Sequence, residues 1–267
     1  MPNLDTLTVD WGYPTRIKAG IDRIVELPAC CDELGISSPL LVTDPGLAGL
    51  PMTGEVVQRC RDAGLGIAVF SDIKGNPTGE QVEAGAQAFR GGGHDGVIAF
   101  GGGSALDAGK AIAFLAHQDL PLFDFAEPGG KPAQINEAGI APVIAVPTTA
   151  GTGSEVGRAS VITDESAELK RIIFHPLMLP LRVILDPVLS RDLPPALTGA
   201  TGMDALSHNL EALCTPMFHP FSEGIAQEGI RRVFENLPAA YDDGSDLEAR
   251  QQMLVASAMG ATAFQKG

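Results

Sequence analysis

Cysteine is scarce in this sequence. The four present, Cys30, Cys31, Cys60 and Cys214, show no C-x-x-C spacing, and the neighbours Cys30 and Cys31 are badly placed to pair with each other. A reduced, cytoplasmic compartment is the simplest account. Aromatic residues make up only 5% of the chain, so a core has to rest on Val, Ile, Leu and Ala. Basic residues are also few, 18 against 33 acidic ones, giving a formal net charge of −15. That balance argues against nucleic acid or an anionic membrane surface as a partner, because phosphates attract Lys and Arg. No apolar run approaches the ~20 residues of a membrane span. The opening Met1-Pro2-Asn3-Leu4-Asp5-Thr6 lacks the basic-then-apolar pattern of a secretion signal.

What the chain does have is glycine and proline, 32 and 20 of them, within 45% apolar residues over 267 positions. This suits a globular enzyme of one large or two modest domains. From residue 39, short apolar runs alternate with amphipathic stretches. Pro39 to Thr43, Gly66 to Phe70, Gly96 to Phe100 and Pro142 to Val146 read as strands buried on both faces. Between them, Glu80 to Arg90 sets Val82, Ala86 and Phe89 on one helical side before Gly91. Such alternation predicts right-handed crossovers and a parallel sheet with helices on both faces. Beyond Asp186-Pro187 the strand-like runs stop, and helices are expected over 196–214, 220–236 and 247–264. The expected fold is therefore α/β, with a parallel-sheet domain over 1–186 followed by an all-helical domain over 187–267.

Four motifs carry chemistry. Gly101-Gly102-Gly103-Ser104 follows a strand and opens a helix read from Ala105 to Ala116, with Asp107 placed in its first turn. Glycines there admit a ligand close to backbone N–H groups, and the helix dipole suits a phosphate. The turn is not a G-x-G-x-x-G fingerprint, because Leu106 stands at the third glycine position. Asp44 ends the first parallel strand, where a carboxylate can hold a ribose and repel a 2′-phosphate, although Thr43-Asp44-Pro45-Gly46 is also a strong turn sequence. The segment Pro147 to Val156 concentrates hydroxyls and glycines after the fourth strand, among them Thr148, Thr149, Thr152, Gly151, Gly153 and Ser154. Asp204 and His208 lie four apart, so a helix points both the same way, and a carboxylate with an imidazole suits Fe2+ or Zn2+. His94, His117, His175 and His219 have no partners at ligand spacing and read as structural, His219 as a helix cap.

In this order and at these separations, the motifs resemble the iron-containing alcohol dehydrogenases, which share a fold with glycerol dehydrogenase and dehydroquinate synthase. The resemblance runs from about Thr15 to the last residue and implies a Rossmann-like dinucleotide-binding domain over 1–186 and an incomplete all-helical, metal-binding domain over 187–267. It implies that Asp44 selects NAD over NADP at the adenosine ribose and that Asn76 contacts the cofactor. It also implies that Gly102, Gly103 and Ser104 hold the pyrophosphate, with Gly101 and Asp107 among the cofactor-binding residues and Thr148, Thr149 and Thr152 on the adenine and phosphate side. Val161 and Lys170 would approach the nicotinamide ribose, and Asp204 and His208 match the first two of four metal ligands. Hydride would pass between a small alcohol, or its aldehyde or ketone, and NAD in a cleft between the domains, with no catalytic side chain independent of the metal. A homodimer is expected, through strand pairing near Leu4 to Asp10. The family's other two ligands, both histidines, fall beyond Phe264-Gln265-Lys266-Gly267, so the sequence is expected to be a fragment. A dehydroquinate synthase-type lyase would need a cluster of Lys and Arg near the metal, and 186–220 holds only Arg191. A non-catalytic nucleotide-binding protein is the other alternative, while the Asp204 and His208 pair argues against a metal-free reductase.

Overall fold

A computed structural model describes residues 9–11, 15–127, 129, 134–216 and 218–265. In chain order the elements are β1 (Val9–Trp11), β2 (Arg16–Ala19), α1 (Leu27–Glu33), β3 (Pro39–Val42), α2 (Pro45–Ala48), α3 (Pro51–Asp62), β4 (Ala68–Phe70), α4 (Gly79–Gly91), β5 (Gly96–Gly101) and α5 (Gly103–Leu115). There follow β6 (Ala126–Glu127), β7 (Val143–Pro147), β8 (Ala159–Asp164), β9 (Leu169–Phe174), β10 (Arg182–Leu185), α6 (Pro195–Cys214), α7 (Pro220–Asp242) and α8 (Leu247–Phe264). The chain forms two compact units, one of residues 24–146 with 158–182, the other of residues 1–23, 147–157 and 183–267.

In the first of these units the strands run β7-β5-β3-β4, with β3 parallel to both β4 and β5. Every residue of β3, β5 and β7 is buried, as their unbroken apolar runs require. The second expected strand differs. Only Ala68–Phe70 of Gly66 to Phe70 is strand, and Val69 stays 41% exposed, because β4 is the sheet's edge and has one neighbour instead of two. Helix α4 buries Val82, Ala86 and Phe89 as expected, and a capping box between Thr78 and Gln81 sets its start. A second sheet, β6-β9-β8, is antiparallel and was not read from the sequence. Its strands alternate buried and exposed residues, a weaker signal than a continuous apolar run.

In the other unit β1 pairs antiparallel with β2, Val9 opposite Ala19 and Asp10 opposite Lys18. Val9 and Asp10 of the expected dimer strand pair with β2 along one edge only, and residues 4–8 lie outside the described residues. Helices α6, α7 and α8 pack around Ala205, Val233, Ala240, Ala249, Met253 and Ala256, a core of small side chains that lets helices approach closely. Helix α7 runs on to Asp242, past the expected Asn236, and includes Pro238. The segment 147–157 belongs to this unit through its glycines. A Cβ on Gly151 would meet Thr201 at 3.0 Å, and one on Gly153, at φ 63°, would meet the Ser257 carbonyl at 2.6 Å. Among the described residues no helix is long and apolar enough to cross a membrane.

Candidate cofactor and metal site

The parallel register sets the first half of the site. Val42 pairs with Ala99, so the carboxyl ends of β3 and β5 lie side by side, where open α/β sheets bind ligands. Gly101 turns the chain out of β5 at φ 144°, a conformation that a side chain rarely adopts. A Cβ there would also come within 2.9 Å of Ala105 and 3.0 Å of Leu47. Gly102 then caps α5 in extended backbone without any side-chain hydrogen bond, so no side chain covers the first N–H groups of this thirteen-residue helix. The helix begins at Gly103, two residues before the expected start, which moves Asp107 out of the first turn.

Around this turn the sequence-derived residues are partly brought together. Asp44 is half-buried and accepts the Leu47 N–H through Oδ1 at 3.0 Å, capping α2 as its turn sequence suggests. Asn76, exposed and at φ 55°, donates its N–H to the Ser104 hydroxyl at 3.2 Å. Ser104 therefore holds the Asn76 loop against the start of α5, and its own hydroxyl proton is left to donate elsewhere. Val161 and Lys170 lie on the β8–β9 hairpin, whose register sets Val161 opposite Ile172 and Lys170 opposite Thr163. With the two-residue period of strands, all four share one face. Ile162 and Ile173 lie on the other face and are fully buried. Asp164 knits the hairpin end, taking hydrogen bonds from Ser166 and from Arg171 Nε at 2.6 Å. The Ser166 hydroxyl, then the Arg171 guanidinium, hold its carboxyl below the usual carboxylate range.

Asp107 is placed differently from its expected role. Its Oδ2 accepts the Val161 N–H at 3.0 Å and its Oδ1 lies 3.3 Å from the Lys110 ammonium, so the carboxylate faces protein groups. Lys110, 1% exposed, was not singled out from the sequence. The available signal was a lone charge inside Ala108 to Leu115, three residues after an acid.

The other half of the candidate residues lies in the helical unit. Thr148 is buried, Thr149 half-buried and Thr152 exposed, with the Thr152 hydroxyl accepting the Ser154 N–H at 3.2 Å. Asp204 Oδ1 and His208 Nε2 stand 3.7 Å apart on α6, both partly exposed. Two donors ~2.1 Å from one tetrahedral ion would be about 3.4 Å apart, so the pair fits a shared metal with a small rotamer adjustment. Among the described residues no three His, Cys, Asp or Glu side chains gather as a metal cluster. The remaining histidines are structural. His219 caps α7 by accepting the Ser222 N–H, His175 accepts the Leu177 N–H, and His94 and His117 pack on Phe89.

Comparison with known proteins bears out the resemblance. The sequence profile of iron-containing alcohol dehydrogenases matches residues 14–187, and that of the C-terminal region of the Fe-containing alcohol dehydrogenase family matches residues 198–267. The chain belongs to the iron-containing alcohol dehydrogenase family. It is 43% identical to 4-hydroxybutyrate dehydrogenase of Cupriavidus necator over 96% of this chain and 66% of that protein. The crystal structure of a 1,3-propanediol oxidoreductase superposes with a TM-score of 0.85 at 36% identity, covering 92% of this chain and 63% of the other. Sulfoacetaldehyde reductase from Bifidobacterium kashiwanohense, solved in complex with NAD+, gives 0.85 at 33% identity over 95% and 66%. The chain thus spans just under two thirds of the length of relatives it matches.

Proposed function

We propose that this chain supplies the NAD site and two metal donors of a metal-dependent oxidoreductase that interconverts small primary alcohols and their aldehydes. The observation that carries the reading is the open amino end of α5, where Gly101 at φ 144° leads into a helix start with no side-chain cap. Such an end binds a pyrophosphate through its N–H groups and dipole. In this reading Gly102, Gly103 and the Ser104 hydroxyl hold the phosphates. Asp44 keeps one carboxylate oxygen for the adenosine ribose and repels a 2′-phosphate. Asn76, Val161 and Lys170 flank the nicotinamide ribose.

Asp204 and His208 are the donors for Fe2+ or Zn2+, whose bound ion supplies Lewis-acid polarisation of the substrate oxygen. The chain's own part is to fix the cofactor ring and to keep both donors on one helical face. The relatives named for 4-hydroxybutyrate, 1,3-propanediol and sulfoacetaldehyde support a short substrate with a terminal alcohol or aldehyde. Four free cysteines, three of them buried, support a cytoplasmic setting, and we assign a homodimer as the working form.

Isothermal titration tests the reading. NAD is expected to bind this chain without added metal, NADP at least tenfold more weakly, and Asp44→Ala should erase that preference. Binding of neither dinucleotide by a folded chain would overturn it.

A further inference from the structure

Strand β8 is the free edge of its sheet, with β9 on one side only. Alternate residues of such a strand direct their backbone groups outward, where they need partners or invite another strand. At β8 these residues are Ala159, Val161 and Thr163, and one outward group of each is taken. The Lys110 ammonium donates to the Ala159 carbonyl, the Val161 N–H donates to Asp107 Oδ2 at 3.0 Å, and the Thr163 N–H donates to the Pro77 carbonyl at 2.8 Å. Two of the three partners are side chains of α5, one turn apart and 3.3 Å from each other. The third is the loop that Ser104, at the start of the same helix, holds through the Asn76 N–H.

We infer that Asp107 and Lys110 are positioning residues that clamp the β8–β9 hairpin to α5, fixing the nicotinamide-side face of Val161 and Lys170 relative to the phosphate-binding amino end of that helix. The inference rests on the cofactor site proposed above. Its physical basis is geometric. These three outward bonds trace back to α5 or to a loop bonded to α5, so the hairpin's register on the helix is fixed at three alternate positions. Burial makes the clamp stiff. Lys110 is 1% exposed, and an ammonium so placed has to keep its carbonyl and carboxylate partners.

The clamp should act on the two halves of the cofactor unequally. ADP engages only the phosphate and adenosine side, whereas NAD also needs the hairpin face. Affinities for ADP and NAD are therefore measured for the unaltered chain and for Asp107→Ala and Asp107→Asn, alongside amide exchange at Val161 and at Val97 in β5. Asp107→Ala is expected to weaken NAD at least tenfold while ADP stays within twofold, with protection lost at Val161 and kept at Val97. Asp107→Asn, which retains an oxygen for the Val161 N–H, should lose less NAD affinity and keep Val161 protected. Parallel loss of ADP and NAD, or unchanged NAD affinity with Val161 still protected in Asp107→Ala, overturns the clamp and leaves the cofactor site standing. Failure of the unaltered chain to bind either nucleotide overturns both.

Discussion

Asp95, just before β5, accepts the Ser37 N–H at 2.8 Å, the Ser37 hydroxyl at 2.6 Å and the Ser38 N–H at 2.8 Å, tying the entry of β3 to the entry of β5. Partial burial pushes its carboxyl up, but these hydrogen bonds outweigh it and hold the pKa below the ordinary 3.8. A carboxyl lowered in the folded state adds stability that is present above 3.8 and lost as pH falls through the folded value. Asp95→Asn should therefore cost about 1 kcal/mol at pH 7, a modest figure because the site faces water. Urea unfolding at pH 7 and pH 3 checks this, and a cost that does not shrink in acid would sink the assignment. The same three bonds show why single residues were unevenly legible. Asp44 and His219 sit next to their turn or helix start and could be read as caps, whereas Asp95 meets its partners 57 and 58 residues away.

At the scale of elements, α5 is held by what its glycines omit. A Cβ on Gly109 would lie 2.6 Å from the Ala99 Cβ and 3.2 Å from its Cα, and Gly85 on α4 meets Ile112 of α5 in the same manner. In an open helix Gly→Ala gains about 0.5–1 kcal/mol. Here overpacking against β5, about 1–3 kcal/mol, wins. Gly109→Ala should lose roughly 1–2 kcal/mol and several degrees of melting temperature, as thermal unfolding would read; equal or higher stability would show that the contact yields. The period-3.6 pattern of α4 and the continuous apolar runs of β3, β5 and β7 were visible in the sequence because burial repeats along them. The β8–β9 hairpin was not, since one of its faces is exposed and keeps Val161, Ile172 and Phe174 at 40–47% accessibility.

Over the whole molecule, 33 acidic residues face 18 basic ones, and self-repulsion opposes the compact state. Raising KCl from about 20 to about 200 mM shortens the screening length from roughly 20 Å to roughly 7 Å. The melting temperature at pH 7 should rise by a few degrees, and a flat or falling profile would mean that paired charges outweigh the excess. Composition and motif order were enough to place the chain in its family, because a glycine turn after a buried strand and an acid four residues before a histidine are local patterns. One family profile ends at residue 187 and the other begins at residue 198. Compactness draws the line elsewhere and joins 147–157 to the helices, because Gly151 and Gly153 allow that loop within contact of α6 and α8. The sequence by itself determined the buried strands β3, β5 and β7, the helices that follow residue 194, and which residue types stand at the glycine turn after β5 and at the Asp204 and His208 pair. Only the tertiary structure decided that Asp107 turns to Val161 and Lys110, since a carboxylate's partner is set by what folding brings within about 3 Å of it.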